Sequence, residues 1–202
     1  MVVERATATW RDRQGPIRIG AVVALALAVG FVVWLLVRGN DNSSSAPATT
    51  PTKQTTRTTT VRTLLTAATP SKLRALSSRS GRPIYWAGSK PNVTYELTRT
   101  PNGQIYIRYL PKGVRIGERK GAYLLVGTYP VTNAYKAVRT AAKESGAVTF
   151  TIAGGGLAVY NQSAPKNVYL AYPGSSYQVE VFDPHPGRAK QLVRSGAIRA
   201  IA

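Results

Sequence analysis

Hydrophobic and polar positions along the chain fall into three rhythms. From Ile19 to Val37 every residue is apolar or glycine, with Arg18 before the run and Arg38 after it. Nineteen residues of helix rise about 28 Å, close to the hydrocarbon thickness of a bilayer. From Gly39 to Thr69 the pattern dissolves into Ser, Thr, Ala and Pro without one aromatic residue. Such a segment buries too little apolar surface to offset its ordering entropy. From Pro70 onward, short alternating and helical patterns succeed one another between glycines and prolines. The pattern predicts four parts: a short cytoplasmic tail over 1–18, a transmembrane helix over 19–37, a disordered Thr/Ser/Pro-rich linker over 38–69, and an extracytoplasmic basic domain over 70–202. The predicted fold class is α+β: a single-pass membrane helix, a disordered stalk, and an outer domain of mainly antiparallel sheet with two or three helices packed on it.

Within the outer domain, Thr69-Pro70 suits the start of a helix, with Thr as cap and Pro in the first turn. Leu73 and Leu76 supply its apolar side and Gly81 stops it. Ile84–Ala87 reads as a short strand. Thr94–Leu110 reads as a hairpin around Thr100-Pro101-Asn102-Gly103, with Gly103 in a left-handed bulge. That register sets Thr100 against Gln104, Leu97 against Ile107, Tyr95 against Tyr109 and Glu96 against Arg108. Glu96, Thr98, Tyr106 and Arg108 then share the face opposite the apolar one, and the Glu96–Arg108 pair is expected to be exposed. A two-residue turn would slip the register by one and ask Pro101 for an amide hydrogen it lacks. A basic loop, Pro111–Gly121, leads to a strand at Ala122–Tyr129. Val131, Ala134, Tyr135, Val138, Ala141 and Ala142 keep one helical face, predicting a helix over Val131–Ser145. Hairpins are expected at Val148–Asn161 around Gly154-Gly155-Gly156, and at Val168–Phe182 around Pro173-Gly174. A last helix is expected over Pro186–Ser195. Ile84-Tyr85-Trp86-Ala87 before Tyr95 echoes Val168-Tyr169-Leu170-Ala171 before Tyr177, which suggests a duplicated hairpin-plus-helix unit.

Charge orients and colours this layout. The chain carries 27 Lys+Arg and 8 Asp+Glu. Residues 71–202 hold 19 of the bases and 5 of the acids, a net +14. Arg5, Arg11, Arg13 and Arg18 precede the apolar run, whereas only Arg38 closely follows it, so the N-terminus is expected inside and the basic domain outside. Trp34 and Trp10 suit the two interfaces. A cleaved signal peptide is the main competing reading, but its apolar core would be about 7–15 residues and end in small residues; a fully buried core helix is a remote third. Gly20, Ala24 and Ala28 recur on one face and would let two such helices approach as a homodimer. Asn42, Asn92 and Asn161 begin glycosylation acceptor triplets that matter only in a eukaryotic secretory pathway. The chain has no cysteine, which excludes disulfides, thiolate metal sites and cysteine nucleophiles.

Candidate chemistry is sparse. His185 is the single histidine, in Asp183-Pro184-His185-Pro186-Gly187. Across a proline, Asp183 and His185 are not expected to face each other, and capping of the last helix is the preferred role. Glu96 and Glu180 fall on strands with bases nearby. Gly154-Gly155-Gly156 lacks the Lys and Ser/Thr of a phosphate loop. No catalytic residue, metal ligand or cofactor site is assigned. Tyr106 and Arg108, with Tyr85 and Trp86, could stack on sugar rings or anionic groups; packing is the blander role of tyrosine in β structure. The densest basic cluster is Lys112, Arg115, Arg119 and Lys120. Together with Tyr106 and Arg108 it forms the candidate binding set.

The order of parts, together with PIYWAG, YELTRT and IYIRYLP, resembles uncharacterised single-pass, envelope-anchored proteins of actinobacterial type. The resemblance covers layout and attaches neither activity nor functional residues. The function expected is a plasma-membrane-anchored extracytoplasmic module that binds an anionic envelope component. Its partners would be an anionic wall polymer, lipid headgroups or an acidic protein, with nucleic acid disfavoured on that side. A scaffold or assembly subunit of a membrane complex is the alternative, and a cell-wall-active enzyme the third.

Overall fold

Thr69 and Pro70 start a helix as their chemistry requires. In the computed structural model of the protein, which describes residues 63–201, the Thr69 hydroxyl accepts from Lys72 N–H at 3.2 Å and opens α1, Pro70–Ser80. Gly81 closes it at φ +61°, the left-handed conformation that glycine adopts without strain. Expectations for the tail, the Ile19–Val37 run, the linker up to residue 62, and Gly20, Ala24 and Ala28 lie outside the described residues. Among the described residues no helix is long and apolar enough to cross a membrane.

Ten strands follow in chain order: β1 Leu64–Ala68, β2 Tyr85–Trp86, β3 Val93–Arg99, β4 Ile105–Pro111, β5 Leu125–Pro130, β6 Ala147–Ile152, β7 Gly156–Asn161, β8 Asn167–Ala171, β9 Tyr177–Phe182 and β10 Arg199–Ala200. Two further helices are α2, Ala134–Ala141, and α3, Arg188–Arg194. Eight strands make one antiparallel sheet in the order β1-β3-β4-β5-β9-β8-β7-β6, and β2 pairs with β10 beside it. The domain is thus a mostly antiparallel sheet with three helices.

The hairpin register is the bulged one. Tyr95 faces Tyr109, Glu96 faces Arg108 and Leu97 faces Ile107. Thr100 and Gln104 close the ladder at 3.0 Å, with Gly103 at φ +77°. Four expectations need correction. Leu64–Ala68, assigned to the disordered linker, is a strand paired with β3, so order begins before residue 70. The second helix is shorter than 131–145, because the Val131 N–H is held by the Ser176 carbonyl and Asn133 turns the chain at φ +58° before Ala134. The last helix starts only at Arg188, after Gly187 at φ +81°. Finally, β2 pairs with β10 rather than β3, so the proposed echo of Ile84–Ala87 with Val168–Ala171 is not a repeated hairpin. The repeat in the strand order is different: meander β3-β4-β5 then α2, and meander β7-β8-β9 then α3.

Alternation along each strand gives the sheet two unlike faces. One face holds Tyr95, Leu97, Ile105, Ile107, Tyr109, Val126, Ala158, Val168, Leu170, Val179 and Val181. Leu73 of α1 and Ala189, Leu192 and Val193 of α3 close over it, with Ile84, Trp86, Ile198 and Ile201. Full burial of one such leucine contributes roughly 1.5–3 kcal/mol. Buried tyrosines bind the small sheet to the large one: Ala87 N–H donates to Tyr109 Oη at 2.6 Å, and Lys90 N–H to Tyr95 Oη at 2.8 Å. The second face is covered in two ways. Ala134 and Val138 of α2 pack on Val159 and Ala171, over β7 and β8. Over β3 and β4 the cover is the loop 112–124.

Candidate functional site

The second face is where most chemistry-bearing side chains gather. The strand pairings Glu96↔Arg108, Thr98↔Tyr106, Tyr106↔Gly127, Gly127↔Glu180 and Glu180↔Tyr169 place these groups on it in one band.

Glu96 was expected to be exposed; it is 1% accessible. Its Oε1 accepts from Arg108 Nη1 at 2.7 Å and its Oε2 from Gly117 N–H at 2.6 Å. Arg108 Nη2 donates to the Glu118 carbonyl at 2.8 Å, and its guanidinium lies 5.4 Å from the Tyr123 ring centre. Lys120 N–H donates to Glu118 Oε1 at 2.7 Å, and Tyr123 Oη to the Lys120 carbonyl at 3.1 Å. The cross-strand pair therefore fastens the loop from beneath. Buried on the sheet side, it leaves Lys112, Arg115, Arg119 and Lys120 exposed on the outer side. These four cations make no ion pair among the described residues. A shallow basin of about 370 Å³ opens beside them, lined by Gly113, Val114, Arg115, Glu118, Lys120 and Tyr123.

The four loop cations are thus exposed on one loop, Arg115 and Lys120 line the basin, and Arg108 is occupied by Glu96 and the Glu118 carbonyl. Tyr106 is separate from the loop cluster. It is half-buried, donates to Gln104 Oε1 at 2.9 Å, and meets Tyr129 edge-on at 5.5 Å between ring centres. Trp86 is buried against Tyr95, and Tyr85 stacks on Tyr172 at 6.1 Å.

Two groups behave differently from expectation. Among the described residues Glu180 has no basic partner. It accepts from Asn167 Nδ2 at 2.7 Å and Tyr169 Oη at 3.2 Å, and also from Tyr129 Oη. Burial pushes its carboxyl up from the ordinary range, opposed by those hydrogen bonds. Burial and the Glu180 charge together push the Tyr129 and Tyr169 phenols up. Tyr129 reaches Glu180 by lying across Gly127, where a Cβ would stand 2.6 Å from the phenol oxygen. The signal for this cluster was a lone Glu among valines in YQVEVF; its partners come from other strands and needed the register. Asp183 and His185 do face each other: Asp183 Oδ1 lies 3.0 Å from His185 Nδ1 and accepts from His185 N–H at 2.9 Å. Neither caps α3, whose N-cap is Gly187 without a side-chain bond. The His185 side chain is 83% exposed.

No family model, curated protein or solved structure matches the chain. The functional reading rests on the site itself.

Proposed function

We propose that the protein is a membrane-anchored, extracytoplasmic module that binds an anionic component of the cell envelope through its 112–120 loop. The observation that carries this reading is how the carboxylates are disposed. Of the five acids in residues 71–202, Glu96, Glu180 and Asp183 are buried. Glu118 is half-exposed and Glu144 exposed, and these face a surface of lysines and arginines. Such a surface attracts anions over distances near the Debye length. A loop held from beneath by Glu96 and Arg108 presents its cations with less ordering cost on binding. The apolar run Ile19–Val37 and the arginines before it supply the anchor and orientation in this reading.

The test replaces Lys112, Arg115, Arg119 and Lys120 together by Glu in the full chain and measures retention on envelope fragments. Retention should fall at least tenfold, and for the wild type it should fade between 0.1 and 1 M salt, where the Debye length shrinks from about 10 to about 3 Å. Retention unchanged in both arms would overturn the reading. It would then favour the scaffold alternative, for which the outer edge of β1, unpaired among the described residues, speaks: Leu64 and Leu65 are 49% and 45% exposed there.

A further inference from the structure

The loop is not the only cationic element on its face of the sheet. Helix α2 covers the same face over β7 and β8, and its outward side carries Lys136 and Arg139, with Lys143 two residues beyond its end; all three are exposed. The two elements also lie toward the same end of the sheet. The turn that follows α2 is tied to the end of β7, where Asn161 Nδ2 donates to the Ser145 carbonyl at 2.9 Å and Gln162 N–H to the Gly146 carbonyl at 2.9 Å. That end is also where β8 begins, β9 finishes, β5 begins and β4 runs into the loop, through Asn167↔Phe182, Phe182↔Leu125 and Leu125↔Arg108. Lys166, exposed in the β7–β8 turn, stands at this end as well. From β4 to β8 is three strand steps in the order β4-β5-β9-β8, or about 14 Å at ~4.8 Å each.

Four cations of the opposite face are engaged locally, while Lys72 and Arg74 of α1 are exposed there without a side-chain partner among the described residues. Arg194 lies 4.5 Å from the Phe150 ring centre and Lys190 5.3 Å from that of Tyr160. Arg188 and Arg79 bond Gln191 and the Ala75 carbonyl. Lys136, Arg139 and Lys143 make no ion pair among the described residues.

From this arrangement we infer that the ligand is a linear polyanion of the phosphodiester or polyphosphate kind, which crosses the end of the sheet from the 112–120 loop to the C-terminal half of α2. A single small anion meets one cluster only. A chain with charges along its length meets both, and the second contact becomes intramolecular once the first has formed. This inference rests on the loop reading above and adds a second contact element to it.

The experiment measures binding of long-chain inorganic polyphosphate and of tripolyphosphate to the full chain in a neutral detergent. One variant carries Lys136→Glu, Arg139→Glu and Lys143→Glu; another carries the same three positions as Gln. Thermal unfolding checks that each folds, and the Gln variant serves if the Glu variant does not. Reversal on α2 should weaken long polyphosphate at least tenfold and tripolyphosphate less than about twofold, because only the long chain gains the second, tethered contact. Reversal of the loop should weaken both. If the loop variant loses both ligands while the α2 variants bind long polyphosphate like wild type, the two-element inference fails and the loop reading stands. If wild type binds neither ligand but sediments with anionic vesicles, the ligand is a lipid surface and the polymer inference is wrong. If neither ligand nor vesicle responds to either variant, both readings fail.

Discussion

Replacing Glu96 by Gln tests whether the sheet holds the loop. The substitution keeps the shape of the side chain and removes its charge. In the wild type, both carboxylate oxygens are used at 2.7 and 2.6 Å, on Arg108 and Gly117. Removing one partner of a buried ion pair costs about 3–5 kcal/mol. Here Arg108 retains 21% side-chain exposure, and a glutamine oxygen still accepts one of the two bonds, while its NH2 confronts the other donor. These two terms bring the expected cost to about 2–3 kcal/mol. For a folded region of this size each kcal/mol moves Tm by roughly 4 °C, so a fall of about 8–12 °C is expected. Amide exchange at Gly117 should accelerate more than exchange in β5 or β9, because the loop loses its anchor while the sheet keeps its core. Salt at 1 M should not reproduce the effect in the wild type, since a pair with one member at 1% exposure is poorly screened. A Tm change below about 2 °C, with unchanged protection at Gly117, would refute the anchoring argument.

Three further outcomes follow from local chemistry. Gly103→Val forces a β-branched residue to φ +77° and sets a Cβ 2.8 Å from Arg82 Nη1; it should cost roughly 1–3 kcal/mol in thermal unfolding. Glu180 has a carboxyl raised by burial above the ordinary 4.5, so the folded state holds its proton more tightly than the unfolded chain does. Its contribution is therefore fully present below the unfolded value and lost as pH rises through the folded one. Glu180→Gln should flatten that decline and equal or exceed wild type in stability at pH 8, and a variant clearly less stable there would contradict the assignment. A chain truncated to begin at Pro70 loses the pairing of Leu64–Ala68 with β3 and exposes a new edge. It should be less stable and more prone to self-association than one beginning at Thr63, as compared by melting and light scattering.

Sequence reasoning reached the elements whose signals are local. Thr69-Pro70 and Gly81 delimit α1 because capping chemistry lies within a few residues. The β3–β4 register follows from Pro101 lacking an N–H and Gly103 accepting positive φ. It failed where the deciding contact is distant. Leu64–Ala68 sits in a Thr-rich stretch whose composition reads as linker, and only the partner strand β3 makes it ordered. Glu96 and Arg108 were paired correctly but placed in solvent, because the loop that buries them returns more than 20 residues after Glu96. The partners of Glu180 lie on β5 and β8, whose order in the sheet no local pattern reveals. The cations of the candidate site were legible as a cluster. That α2 adds three more on the same face depends on which side of the sheet the helix packs.

The two halves of this face are held by different physics. Over β7 and β8, the cover is a helix with an apolar stripe of Ala134 and Val138, and its attachment is hydrophobic. Over β3 and β4, the cover is a loop tied down by polar bonds, Glu96 to Gly117 and Arg108 to the Glu118 carbonyl, with Leu124 at its end packed against the core. A cover held by a few directional bonds opens at lower free energy than the core it protects. In the proposed reading, an anion on the exposed loop cations meets a segment that Glu96 and Arg108 already hold from beneath, so the sheet orders the loop before the ligand arrives and the ordering cost falls on folding rather than on binding.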